Sequence, residues 1–190
     1  MPLVTEADYI RVPGRVDILV AFPSVYADLF KLGESENGIE LRKVVLKGRV
    51  TGDRYGGNEG PPIEEQFFGL TLETELAMSR WDPVQLAKIE RLGGILATAG
   101  VVPLSAVGAL MHRDNGLRFL FFCRRDNTLS VNVPCCTWTS PQSSGRGTKY
   151  SVCRFAITGN RAPEGYWHNG SVGHVYNADL TGVPNEMLNS

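Results

Sequence analysis

The sequence predicts a mainly β protein: a β-sandwich or partial barrel with one flanking α-helix and long projecting loops. Three observations support this class. Short apolar segments alternate with polar residues at a period of two, which is typical of strands with one buried face. The 21 glycines and 11 prolines of the 190 residues exceed the roughly 12% typical of globular chains and punctuate those segments. Only one segment carries clear signals for both ends of a helix.

The chain length supports one domain. A chain of 190 residues can bury a substantial core, and domains of this size are common. Since no internal repeat or linker divides the sequence, we expect a single domain over residues 1–190.

Alternation is clearest over residues 66–77, where Leu72 and Leu76 fall on one side and Glu73 and Glu75 on the other. This pattern predicts a strand with one buried and one solvent-facing side. The other predicted strands cover residues 15–22, 39–50, 117–123, 129–133, 150–157 and 171–178. Residues 101–111 fit a strand or a short buried helix, and we favour the strand.

Two local features refine these strands. Within residues 39–50 the apolar side chains change parity between Leu41 and Val44, which predicts a β-bulge near Lys43. Residues 125–128 read Arg-Asp-Asn-Thr. Because Asp and Asn tolerate a positive φ, this segment predicts a tight hairpin turn.

One helix follows the strand at 66–77. Asp82 is placed to cap its N-terminus, Pro83 takes the first helical position, and Gln85 completes a capping box. The glycine pair at 93–94 ends it. Three apolar residues then fall on one helix face: Leu86, Ile89 and Leu92. A helix of roughly three turns covers only one face or edge of a sheet.

Two long segments are polar and glycine-rich: residues 51–65 (TGDRYGGNEGPPIEE) and residues 139–149 (TSPQSSGRGTK). Neither can pack a core by itself. We therefore expect each to be a projecting loop, or a loop that becomes ordered against another chain.

Charge and hydropathy exclude several classes. The 19 basic and 20 acidic side chains nearly cancel, and the pI is near 6.3, so the basic surface that binds DNA tightly is missing. No segment approaches the roughly 18 to 20 apolar residues of a membrane span, and the first residues lack the pattern of a signal peptide. We expect a protein made in a reducing cytoplasm, with no membrane insertion and with buried free cysteines.

The sequence nominates no strong active site. The best catalytic candidate is a cysteine nucleophile, Cys135 or Cys136, with His168 or His174 as its base. No helix N-terminus follows either cysteine to activate it. We therefore expect no enzyme, and a cysteine-dependent hydrolase stays open as an alternative.

Metal and nucleotide sites are also not indicated. The three histidines lack short ligand spacing, and the GRGTK segment at 145–149 lacks the order of a phosphate-binding loop. We expect no metal and no cofactor. A monomeric ligand- or receptor-binding β domain is a further alternative, with a contact patch formed by Tyr166, Trp167 and Tyr176.

Four segments follow one another in a distinctive order: GDRYGGNEGPPIEEQFFGLTLETEL, a helix opened by WDP, GALMHRDNGLRFLFFCRRDNTLSVNVPCC, and GTKYSVCRFAIT. This order, over residues 39–178, resembles structural proteins of tailed-bacteriophage virions, particularly tail-tube-like proteins. The resemblance implies a virion protein assembled in the host cytoplasm, whose partners are its own copies, in rings of six, and other virion proteins. The stacked rings would let DNA pass without binding it. Tail-terminator, neck and capsid-decoration proteins share this architecture and stay open as alternatives.

The resemblance also implies roles for particular residues. The first glycine-rich loop would form the inter-subunit arm, which comprises Asp53, Arg54, Tyr55, Gly56, Gly57, Glu59, Pro61, Pro62, Glu64 and Glu65. The strands around it would line the lumen, with Lys43, Lys47, Glu73 and Glu75 as the lumen-facing candidates. The two glutamates suit a conduit that must release DNA, and the two lysines suit it less well.

Overall fold

The computed structural model describes residues 9–22, 25–51, 62–92, 96–97, 100–101, 116–138, 143–145, 152–162 and 174–188. Within these ranges the protein is mainly β, with ten antiparallel strands in one sheet and few helices. No helix among the described residues is both long enough and apolar enough to cross a membrane.

The strands are β1 (Tyr9–Val12), β2 (Val16–Ala21), β3 (Phe30–Ser35), β4 (Ile39–Thr51), β5 (Pro62–Met78), β6 (Arg80–Trp81), β7 (Leu96–Ala97), β8 (Gly100–Val101), β9 (Leu117–Cys123), β10 (Val131–Trp138), β11 (Ser143–Gly145) and β12 (Val152–Gly159). The helices are α1 (Pro83–Leu92) and α2 (Asn185–Leu188), and a 3-10 turn spans Asn127–Leu129.

The large sheet has the order β1-β4-β5-β12-β10-β9-β2-β3-β6, with β11 beside β12, while β7 and β8 form a separate pair. After β5, the chain continues through Ser79 into β6, which pairs with β3 at the other end of this order. The Ser79 N–H donates to the Glu34 carbonyl at 2.9 Å. At Gly33 a side chain would meet the Arg80 carbonyl and the Met78 sulfur, so the close approach of β3 to β6 requires glycine here.

The main core lies on one face of the large sheet. It is built from β1, β2, β3, β4, β5, β9, β10 and β12, and α1 contributes Leu86 and Ile89. A second apolar cluster lies on the opposite face of β2 and β9. There Leu19, Leu120 and Phe122 are covered by Val183 and by apolar residues of the C-terminal segment 180–188. For this reason every residue of β2 and β9 is buried.

Several predicted elements are confirmed. The strand predicted at 117–123 is β9, and those predicted at 15–22, 39–50, 66–77 and 150–157 correspond to β2, β4, β5 and β12. The helix begins at Pro83 as predicted, because the Asp82 carboxylate accepts the N–H groups of Val84 and Gln85. The side chain of Leu92 lies outside the described residues.

The bulge predicted near Lys43 is wrong in position. The register runs unbroken from Arg42 to Leu46. A first irregularity follows Leu46, where Phe68 of β5 has no register partner, and a second follows Val50. Beyond Arg42 the strand leaves the main core, so its apolar residues need not keep one parity. Gly69, next to the bulge, has a φ of 153°, a conformation that glycine adopts without penalty.

The predicted turn at 125–128 connects β9 to β10, but in a different conformation. The connection is the 3-10 turn Asn127–Leu129, which the Asp126 side chain caps by accepting the Thr128 N–H at 2.9 Å. No non-glycine residue in the described part of the chain has a positive φ. Because this turn occupies residues predicted as strand, β10 begins at Val131.

The strand predicted at 171–178 is wrong for the residues that the structure describes, 174–178. Asn177 instead makes a single β-bridge to Asn132 through two backbone hydrogen bonds of 2.9 Å. Both asparagines also bond through their side chains, which holds the chain without a ladder. In the segment predicted at 101–111, only Val101 is described, as the end of β8.

Candidate functional site

The β4–β5 pair continues past the rest of the sheet. Pairing between β4 and β1 ends at Arg42, and pairing between β5 and β12 ends at Leu72. Beyond these residues, strand segments 44–51 and 62–71 pair only with each other among the described residues. We call these two segments the ribbon. At about 3.3 Å per residue, eight residues of β4 extend about 25 Å.

The outer edges of the ribbon carry no further strand in the described part of the chain. A two-stranded β structure by itself is marginally stable in water, and each outer edge presents backbone N–H and C=O groups that can pair with another strand. Val45 in the ribbon is 40% exposed, whereas Leu72 at its base is 1% exposed. A strand or sheet of another chain laid along the ribbon would satisfy these edges and cover Val45.

The structure places part of the predicted arm on the ribbon. The predicted loop 51–65 is shorter than expected, because Thr51 belongs to β4 and β5 begins at Pro62. Proline at the first residue of a strand requires no ladder N–H, which permits the early start. Glu64 and Glu65 are register partners of Val50 and Arg49. The remaining arm residues lie outside the described residues: Asp53, Arg54, Tyr55, Gly56, Gly57, Glu59 and Pro61.

The second predicted loop, 139–149, is also interrupted by a strand. Ser143–Gly145 forms β11 and pairs with residues 152–154 of β12, because a backbone segment beside the free edge of a strand gains ladder hydrogen bonds. Residues 139–142 and 146–149 lie outside the described part of the chain.

The register divides the four lumen-facing candidates between two faces. Residues directly opposite each other in an antiparallel pair share a face. Lys43 is opposite the buried Leu72, whereas Glu73 is opposite the exposed Arg42. Lys47 is exposed and has the parity of Lys43 on β4, and Glu75 is exposed and has the parity of Glu73 on β5. The two lysines therefore lie on one face of the sheet and the two glutamates on the other, so a single face cannot present all four.

Lys43 is half-buried, and its Nζ lies 5.5 Å from the ring centroid of Tyr176. This is within the usual range of a cation–π contact. Tyr176 itself is half-buried and packs against the main core. Its involvement there weakens the ligand-binding patch predicted from Tyr166, Trp167 and Tyr176, of which the first two lie outside the described residues.

A cluster of ion pairs, which the sequence patterns did not predict, forms around two buried carboxylates. Asp17 on β2 is fully buried and receives Arg124 through Nε at 2.6 Å and Nη2 at 2.9 Å, together with Lys31 at 2.7 Å. Glu34 on β3 is also buried and receives Arg15 at 2.7 Å and Lys31 at 3.1 Å. Two longer contacts to Glu34 come from Arg80 and Arg124, each at 3.4 Å.

We call the depression lined by Arg15, Lys31, Glu34, Arg80, Trp81 and Arg124 the basic groove. Burial raises the pKa of Glu34, but hydrogen bonds and charge attraction from Arg15 and Lys31 prevail and lower it to about 2. The hydrogen bond to Asp17 raises the pKa of Arg124. The Glu34 carboxylate is therefore ionised, and the Arg124 guanidinium protonated, at neutral pH. The sequence signal for this site was an aspartate inside the apolar segment RVDILVAF.

A separate polar cluster centres on Arg118 of β9, which is fully buried. Its guanidinium donates to Asn132 Oδ1 (2.7 Å) and to the carbonyls of Tyr26 (2.7 Å), Thr181 (2.7 Å) and Asp179 (3.1 Å). It also stacks on the Tyr26 ring, 4.0 Å from the centroid.

Arg118 therefore fastens the C-terminal segment to the sheet. Burial lowers the pKa of its guanidinium, yet arginine stays protonated in proteins. The sequence signal was an arginine within the apolar segment LRFLFFC. Its partners could not be predicted from that segment, since they come from distant parts of the chain.

The cysteine candidates lie in the core. Cys135 and Cys136 are buried, and burial raises the pKa of Cys136 well above its ordinary value. A thiol in this environment keeps its proton at neutral pH. His174 is exposed, and His168 lies outside the described residues. Burial of the thiol gives no support to a nucleophilic role.

Among the described residues, no group of three or more His, Cys, Asp or Glu side chains could hold a metal ion. Comparison with known proteins adds no assignment: no protein-family model matches the chain, and a search of curated proteins finds no match.

Proposed function

We propose that the chain is a structural subunit of a tailed-bacteriophage virion, most similar in role to a tail-tube protein, and that it assembles with its own copies. The sequence order described above suggests the class of protein. The ribbon carries the assembly step, because residues 44–51 and 62–71 form a two-stranded structure with no further strand beside it in the described part of the chain. Such a structure becomes stable when a second chain pairs with it.

The finer fold belongs to the same proposal. Since β5 leads through Ser79 into β6, and β6 pairs with β3, the sheet would curl into a partial barrel closed along this segment. In α1, Leu86 and Ile89 are buried within the main core cluster, which supports a helix flanking that barrel. A closed sheet leaves the ribbon as the part best placed to reach a neighbour.

In the assembled particle, six copies would form a ring, and rings would stack into a tube in the virion after assembly in the host cytoplasm. The outer sheet face near Glu73 supports passage of DNA without retention. Exposed residues there carry both signs, with Arg42 3.9 Å from Glu73 and Arg154 across from Ala77. A mixed face makes few net phosphate contacts, so DNA would not be held.

Light scattering after size-exclusion chromatography, followed by negative-stain microscopy of the full chain, tests the proposal. We expect rings, with a mass that is a multiple of the 20.8 kDa subunit. Val45→Lys places a charge on the ribbon and should weaken assembly at least tenfold, since burying an unpaired charge costs several kcal/mol. The control is Val84→Lys on α1, where Val84 is 65% exposed.

A monomer at every concentration would reject the proposal, as would normal assembly of Val45→Lys. The images also separate the alternatives. Stacked rings indicate a tube, whereas single closed rings indicate a terminator or neck protein.

A further inference from the structure

The basic groove carries more positive charge than its own carboxylates neutralise. Arg15, Lys31, Arg80 and Arg124 face Asp17 and Glu34, which leaves a formal surplus of two positive charges. Asp82 also lines the groove, and its carboxylate accepts the N–H groups of Val84 and Gln85 at the start of α1. Even when Asp82 is counted, a positive charge remains.

Buried carboxylates hold the four cations in place, while the cationic side chains themselves stay accessible to solvent. The side chains of Asp17 and Glu34 are 0% and 3% exposed, whereas those of the four cations are between 39% and 72% exposed. Buried carboxylates that accept hydrogen bonds fix the guanidinium groups in position, so little conformational entropy is lost when a ligand binds.

Spare donors point to one class of ligand. A guanidinium has five N–H donors in a planar fork. Arg15 bonds Glu34 through Nη2, and the contact of Arg80 Nε with Glu34 is long, at 3.4 Å. Arg80 is thus the most loosely held of the four cations. Such forks match the oxygens of a tetrahedral oxyanion in bidentate geometry.

We propose that the basic groove is a binding site for a small phosphate-type oxyanion, either free phosphate or the phosphomonoester of a small molecule. This inference does not depend on the proposed assembly function. DNA is the less suitable ligand. The chain has a net charge of -1, and Glu36, Glu40, Glu73 and Glu75 are exposed, so a long basic track for a duplex is missing from the described surface.

Isothermal titration of the full chain with inorganic phosphate tests the site, with chloride used to hold ionic strength constant. We expect saturable binding of one phosphate per subunit. Arg80→Gln should weaken that binding at least about tenfold, the equivalent of about 1.4 kcal/mol. Arg80→Lys, which keeps the charge, should bind phosphate more tightly than Arg80→Gln. The matched control is Arg11→Gln, because Arg11 is equally exposed and pairs with Glu40 on β4.

Three results would overturn the inference. The first is no saturable binding of phosphate to the wild-type chain, a result that requires no variant to fold. The second is equal affinity of the wild type and Arg80→Gln, with thermal unfolding used to verify that the variant is folded. The third is Arg80-dependent binding of a short DNA duplex without binding of phosphate, which would assign the groove to nucleic acid.

Discussion

The central strands and the ribbon are both antiparallel β structure, but the central strands are buried on both faces and the ribbon is partly exposed. Each residue of β9 is buried, because its inner face joins the main core and its outer face lies under the C-terminal segment. In the ribbon, Val45 is 40% exposed, and no third strand pairs with it in the described part of the chain. The central strands are thus covered by their own chain, whereas the ribbon is the region for which we propose a neighbouring copy as the partner.

The largest expected effect comes from the central strands. Arg118→Met removes five donors and leaves Asn132 Oδ1 and three carbonyls without their partner, so we expect the free energy of unfolding to fall by about 4 kcal/mol. Urea denaturation followed by circular dichroism measures it. Arg125→Met, at an exposed position, should change stability by less than about 0.5 kcal/mol. If both variants lower the free energy of unfolding by a similar small amount, the hydrogen bonds of Arg118 contribute little to stability.

The next effect lies at the base of the ribbon. Leu72 is 1% exposed and belongs to the main core, so Leu72→Ala should lower the free energy of unfolding by about 2 to 5 kcal/mol through lost burial and a cavity. The control is Leu129→Ala, because Leu129 is 43% exposed. The same urea experiment measures both variants. If Leu72→Ala lowers the free energy of unfolding by less than about 1 kcal/mol, the main core ends on the C-terminal side of Leu72 in β5.

A pH effect comes from the basic groove. The pKa of Glu34 is about 2 in the folded protein and 4.5 ordinarily, so its ion pairs contribute fully above the ordinary value and are lost as the pH falls towards 2. We expect this carboxylate to account for about 2 kcal/mol of lost stability between about pH 6 and pH 3.

Urea unfolding across that pH range, compared between the wild type and Glu34→Gln, isolates this contribution. The variant should lose less stability on acidification, whereas Glu36→Gln, at an exposed bend, should follow the wild type. Parallel curves for the wild type and Glu34→Gln would show that Glu34 does not set the acid sensitivity.

The smallest effect separates the two regions most directly. Gly14 (φ 72°) and Gly69 (φ 153°) both occupy conformations that disfavour other residues, and a Cβ would meet no atom within 4 Å at either position. Replacement by alanine should cost about 1 kcal/mol of local strain in each case. Gly14→Ala, between β1 and β2, should lower global stability by that amount.

Gly69→Ala, in the ribbon, should mainly weaken assembly, since the ribbon can open locally without unfolding the core. Urea unfolding and light scattering together give both quantities. If Gly69→Ala lowers global stability as much as Gly14→Ala does and leaves assembly unchanged, the ribbon is an integral part of the folded core.

Local signals in the sequence were sufficient for many of the elements. Alternation identified β5, and Asp82 with Pro83 identified the start of α1, because these patterns depend on neighbouring residues alone. Five of the described strands were not predicted: β1, β3, β6, β7 and β11. The bulge was assigned to β4 because parity within one strand does not show which partner strand carries the extra residue; the register places it at Phe68.

The polar sites were beyond such signals for a physical reason. Asp17 and Arg118 are visible as charges inside apolar segments. The partners of Asp17, Lys31 and Arg124, become its neighbours only through the order of the strands, and Asp179 reaches Arg118 only because the C-terminal segment packs on the sheet. The ribbon was partly predicted, as strands around a glycine-rich loop. Its lack of a third strand became visible only from the pairing of all described strands.

The fastening of residues 177–188 by Arg118 and by the apolar face of β2 and β9 has a consequence for biosynthesis. Until residues 177–188 have been synthesised, Leu19, Leu120 and Phe122 stay uncovered and the guanidinium of Arg118 lacks two of its three carbonyl acceptors, those of Asp179 and Thr181. The native state is thus reached only after translation passes this segment. Nascent chains that stall before this segment is synthesised would expose this apolar surface to chaperones and proteases.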